Sequence, residues 1–110
     1  MIRLGEIAHA RSGDKGNRAN IGVIANRSEY YEHLRTCLTE EIVAQFFEPM
    51  GIGRVIRYEL PNIHAFNFVI DDALAGGASR SLRLDTQGKA LGTILLECPI
   101  AAPQGWETST

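Results

Sequence analysis

Residues 58–77 read YELPNIHAFNFVIDDALAGG, and what this stretch becomes decides how many strands the chain owns. It succeeds RVIRYEL (54–60), where Ile56, Tyr58 and Leu60 alternate with Arg57 and Glu59, the period of a strand. Pro61 ends that strand and Asn62 can cap the next element. Ile63, Phe66, Ile70, Ala73 and Leu74 then recur at helical spacing until Gly76 and Gly77 close the run, so the spacing predicts a helix over 63–74. On that helix Asn67 falls at the edge of the apolar stripe and Phe68 points to the other side. A buried amide without partners costs about 1–3 kcal/mol. Asn67 therefore either braces the preceding turn or faces a ligand or a subunit.

Working outward, SLRLD (81–85) and ALGTILLEC (90–98) flank TQGK and read as two strands of a hairpin. The last run is apolar on both sides, Ile94 and Leu96 on one, Leu91 and Leu95 on the other. That suits either a partner or self-association through an open sheet face, or a central, twisted strand in a monomer. Residues 100–110 lack periodicity and read as an irregular tail behind a single domain over 1–99, although Trp106 can dock. Upstream, Ser28 can cap EYYEHLRTCL and Thr39 can cap a second helix whose stripe is Ile42, Val43, Phe46 and Phe47. LGEIAHA (4–10) and NIGVIA (20–25) read as strands. The element order is ββααβαββ, an α+β layer with helices on one face of a mostly antiparallel sheet.

The chain has 110 residues, 45% hydrophobic and 22% charged, with a formal net charge of −2. These values fit one globular domain and exclude a disordered chain or a general nucleic-acid binder. No apolar run reaches the ~18 residues of a membrane span, and Glu6 and His9 interrupt the start where a signal peptide would be apolar. A cytoplasmic location is the default expectation. Cys37 and Cys98 are read as buried free thiols, with a disulfide as the second choice. His9, His33 and His64 lie on different elements without ligand spacing, so neither a metal nor a cofactor is expected.

Chemistry concentrates in AHARSGDKGNRANIG (8–22). The connection it makes is about ten residues long, against the usual ~2–5 of a hairpin. Gly13 and Gly16 allow positive φ, which would turn successive peptide N–H groups inward as an anion-binding nest. Arg11, Lys15 and Arg18 supply charge around it, and Ser12, Asn17 and Asn20 add neutral donors. The spacing is neither that of a P-loop nor that of a dinucleotide fingerprint. The alternative is a solvated polar loop with a surface pair made by Asp14. His9 sits just before the loop and is either a proton carrier or a strand-end residue. In the catalytic version His9 or Asp14 handles a proton while Lys15 and the loop donors stabilise developing negative charge. Glu59, Asn62 and Asn67 form a second candidate group for binding.

ARSGDKGNRANIGVIA, RYELPNIHAFNFVIDDALAGG and SLRLDTQGKALG together resemble the small C-terminal domain of AtuA, the acyclic terpene utilisation protein. The resemblance runs from about residue 4 to residue 98 and implies a ferredoxin-like fold. The family pattern covers Arg11 to Asn17, Glu59 to Asn62, Asn67, Gly76, Gly77, Arg83 and Asp85, with Phe66 where leucine is expected. It implies a small subunit of a larger enzyme at most, acting on terpenoid or branched acyl-CoA compounds, with a larger AtuA-type subunit as partner. The predicted element order departs from βαββαβ, so either the first hairpin is an added unit or the fold is permuted.

Overall fold

Phe66, Phe68 and Ile70 are fully buried while Asn67 and Val69 between them are half-buried, an alternation that only a strand produces. The computed structural model describes residues 1–15, 18–71 and 91–106, without the side chains of 14 and 15. The helix expected over 63–74 is, as far as Asp71, the strand Ala65–Asp71; Ala73, Leu74, Gly76 and Gly77 lie outside the described residues. Phe66 and Ile70 satisfy a four-residue helical spacing and a strand period equally. Phe68 on the same face, with Val69 and Ile70 β-branched, tips the segment to a strand. Its reversal from the preceding strand is short: Pro61–Ile63 forms one 3-10 turn and His64 takes φ 53°, the left-handed region. Asn62 is thus an exposed turn residue and caps no helix.

The sheet has four antiparallel strands, which we number β2 (Ala8–Lys15), β3 (Arg18–Ala25), β4 (Val55–Leu60) and β5 (Ala65–Asp71), in the spatial order β2-β3-β5-β4. Short strands β1 (Ile2–Arg3) and β6 (Pro99–Ile100) pair with each other. Helices α1 (Ser28–Cys37), α2 (Glu40–Phe47) and α3 (Leu91–Leu95) pack on one face of the four-stranded sheet. The fold is α+β, as the sequence predicts, with an antiparallel sheet and its described helices on one side. The described order, three strands, two helices, two strands, a helix and a strand, departs from ββααβαββ at its start, where the short β1 is added and Leu4–Glu6 is a 3-10 turn instead of strand, and at two later places. A strand replaces the third helix, and α3 replaces the start of the last strand. Leu91, Gly92 and Leu95 are buried while Thr93 is exposed, and two adjacent buried residues with a third one turn on follow the period of a helix rather than the alternation of a strand. The hairpin expected over 81–98 falls partly on residues 81–90, outside the described ones.

Between sheet and helices lies one core. Val23 pairs with Phe66, Ile21 with Phe68 and Ala19 with Ile70, and all six are buried. Tyr31 of α1 stacks on Phe66 with ring centroids 4.8 Å apart. Each fully buried phenylalanine or isoleucine contributes about 1.5–3 kcal/mol relative to leaving it exposed. Thr39 caps α2 as expected, its Oγ1 accepting from the Ile42 N–H at 3.2 Å. Ser28 does not cap α1: it opens the helix itself, and Arg27 holds the cap position without a side-chain bond. At the chain's end, His33 of α1 lies 2.7 Å from the Ala101 carbonyl, and Trp106 packs edge-on against Tyr30.

Candidate functional site

Pairing register sorts the candidate residues onto two faces, because residues directly opposite on antiparallel strands share a face. On the face away from the helices, one row reads His9, Ile24, Ala65 and Leu60 across the sheet. The next reads Arg11, Gly22, Asn67 and Tyr58, and the third reads Gly13, Asn20, Val69 and Ile56. Thus His9, Arg11, Asn20 and Asn67, far apart in sequence, lie on one surface. No described element covers it. Tyr58 is 51% exposed, Leu60 41% and Ile63 60%. Asn67 lies in the middle of a strand on that face, not on a helix, while Phe68 is in the core.

The charged end of this face differs from the nest that the sequence suggests. Residues 11–15 and 18–20 are strand, and Lys15 pairs with Arg18, so the ladder takes up most of the stretch read as a connection. Gly16 and Asn17 lie outside the described residues. Gly13 pairs with Asn20 in the ladder, and the glycines with positive φ among the described residues are Gly51 and Gly105. Gly13 serves packing instead: a Cβ there would stand 3.3 Å from Asn20 Oδ1, so the space it leaves is taken by the Asn20 amide. Arg18 donates from Nε to Asp71 Oδ1 at 2.9 Å, and Arg54 from Nη2 to Asp71 Oδ2 at 3.5 Å. Sequence reading missed Arg54 and Asp71, because only strand pairing joins them to Arg18. Asp14 and Lys15 hold backbone positions opposite Ala19 and Arg18; their side chains lie outside the described residues.

Other candidates fall on the helix side, where they bond within the fold. Ser12 Oγ accepts from the Gly92 N–H at 3.0 Å, tying β2 to α3. Glu59 receives Arg57 Nη2 at 3.3 Å. Arg57 also donates to the carbonyls of Arg35 and Leu38 at 2.9 and 2.8 Å. These are orphan carbonyls at the C-terminal end of α1, where a cation also meets the negative end of the dipole. Its guanidinium lies 5.1 Å from the Phe66 ring centroid. The Glu40 carboxylate accepts from the Arg57 backbone N–H at 2.7 Å, at the outer edge of β4. Glu59 is therefore a brace for Arg57, and the sequence reading that grouped it with Asn67 joined residues from opposite faces.

His9 is exposed, and its Nδ1 sits 3.0 Å from Asn26 Oδ1. Burial, then the Glu59 carboxylate, pushes the Tyr31 phenol above its ordinary range. Burial holds the Cys98 thiol up at about 11, and Cys37 adds to the shift. Both cysteines are free. Among the described residues no three metal-ligating side chains cluster, and no described helix is long and apolar enough to cross a membrane.

Comparison with curated proteins finds no match, and neither does comparison with solved structures. The AtuA ferredoxin-like domain family matches residues 2–101. That range takes in the four-stranded sheet, its helices and the β1–β6 pair, and with nearly the whole chain matched, this protein belongs to the AtuA ferredoxin-like domain family.

Proposed function

We propose that this AtuA-type accessory domain docks the helix-free face of its sheet on a larger AtuA-type subunit. The cationic end of that face meets the anionic part of a metabolite at the joint. The reading rests above all on the contiguous exposed apolar side chains Tyr58, Leu60 and Ile63, flanked by half-buried Ile24, Ile56 and Val69. Large apolar patches of this kind mark interaction surfaces more often than free ones. Asn67 in their midst adds a donor and an acceptor that a flat apolar contact would leave idle. Arg11 and Arg18 lie on the same side of the sheet and supply the charge for a carboxylate or phosphate. The metabolic setting, catabolism of terpenoid or branched acyl-CoA compounds, is supported by the family resemblance alone. In this role the chain contributes part of a larger enzyme's site and does not perform a reaction by itself.

The test is co-purification with a large AtuA-type subunit. The wild-type chain should be retained, and Tyr58→Lys with Leu60→Lys should abolish retention, while Arg3→Gln, outside the four-stranded sheet, changes nothing. Failure of the wild-type chain to associate, or equal retention of the double variant, overturns the reading. The same exposed patch also supports a second one, a structural module that self-associates without a ligand. Sedimentation would then show a concentration-dependent oligomer that the double variant loses.

A further inference from the structure

We infer that Arg18 and Arg54, held on either side of Asp71, form a two-armed clamp for an oxyanion group, phosphate or carboxylate. The inference deepens the proposed docking role and depends on it only for the identity of the natural ligand. Arg18 lies directly across from Asp71 on the neighbouring strand. Arg54 is fixed on the other side, because the Asp71 N–H donates to the Arg54 carbonyl at 2.9 Å and the Gly53 N–H to the Asp71 carbonyl at 2.8 Å. The three charges run plus, minus, plus in one row at one end of the sheet. Asp71 is the sheltered member, its side chain 24% exposed, against 64% for Arg18 and 73% for Arg54.

Geometry separates this row from an ordinary surface pair. Among the described residues one carboxylate faces two guanidiniums, so this row carries a surplus positive charge. Arg18 meets Asp71 through Nε, and among the described residues its two terminal amino groups make no further bond and form the fork at the end of the side chain. Arg54 meets it through one terminal nitrogen, and among the described residues Nε and the other terminal group make no further bond. Planar forks of this kind match the paired oxygens of carboxylate and phosphate. Because Asp71 already restricts both long side chains, less rotamer entropy is lost when an anion arrives. Asn20, exposed on the same face and in the neighbouring row, stands beside Arg18 and offers an amide donor to the same group.

The experiment uses the isolated full chain, followed by amide NMR during titration with inorganic phosphate, sodium acetate and, for ionic strength, sodium chloride. Phosphate or acetate should move the Arg18, Asn20, Arg54 and Asp71 amides saturably, with a dissociation constant of about 1–10 mM. Whichever of the two binds tighter names the group. Arg18→Gln and Arg54→Gln should each weaken binding about fivefold or more, as loss of a charge-assisted bond requires. Arg3→Gln, which removes the same charge elsewhere, should leave it unchanged. Shifts that fail to saturate, that chloride reproduces, or that survive both glutamine variants overturn the clamp. The larger subunit is absent from this titration, so failed co-purification and failed anion binding are told apart.

Discussion

Arg57 ties together three parts of the fold, the end of α1, its own strand and the aromatic core. Its guanidinium closes the end of α1, pairs with Glu59 and covers Phe66, with only 15% of the side chain exposed. Arg57→Met should lower unfolding free energy by about 2–3 kcal/mol in urea denaturation, since two helix-end carbonyls lose a charged donor. Arg57→Lys keeps the charge but lacks the second terminal nitrogen that reaches Glu59, and the planar group over Phe66, so it should restore only part of the loss. At Gly13 the expectation is the opposite. Its backbone is ordinary strand and the nearest obstacle is the movable end of Asn20, so Gly13→Ala should change stability by less than about 1 kcal/mol. A nest that required positive φ there would lose more. Strand alternation made Arg57 and Glu59 legible as neighbours on one face. Nothing local could show that Asp71 lies between Arg18 and Arg54, because a register is fixed by partners distant in sequence.

At the scale of elements, α3 shows why an apolar run is ambiguous. Leu91, Ile94, Leu95 and Leu96 fit two strand faces or one helical turn equally well. The neighbour decides: a Cβ on Gly92 would stand 3.2 Å from the Arg11 carbonyl carbon and 3.4 Å from Ala10 Cβ. Backbone cannot swing aside as a side-chain tip can, so Gly92→Ala should push α3 off β2 and cost about 1–3 kcal/mol, read as a lower urea midpoint. The Gly92 bond to Ser12 Oγ would lengthen with it. The segment 65–71 was ambiguous for a related reason, the shared spacing of Phe66 and Ile70. Elements with a distinctive local signal were legible. Thr39 before two glutamates marks the start of α2, and Pro49 with Gly51, at φ 72°, marks its exit.

The whole molecule carries its alkaline sensitivity in the core. The Cys98 thiol titrates at about 11 because burial disfavours its thiolate, whereas an unfolded thiol titrates near ~8.5. Between those values the unfolded chain has released a proton that the folded chain keeps, so stability falls as pH rises. It is fully present below pH ~8.5 and lost progressively toward about 11. Tyr31, also raised by burial, extends the decline upward. Melting temperatures measured across this window should fall, and Cys98→Ala should flatten the slope even if its starting value is lower. At this scale composition and patterning revealed the α+β class and one core. An open sheet face was expected, but from the run at 91–98, which is α3; the residues that make it escaped, because the face is assembled from four strands whose order no local pattern states.

The bond from the Arg57 peptide to Glu40 also guards the outer flank of the sheet. Because β5 takes the hydrogen bonds of Arg54 and its alternate successors, Val55, Arg57 and Glu59 turn their peptide groups outward along β4. A foreign strand seeking to extend the sheet along that flank would need the amide that Glu40 already holds. Glu40→Ala would unlock the rim to strand addition and to fibre growth.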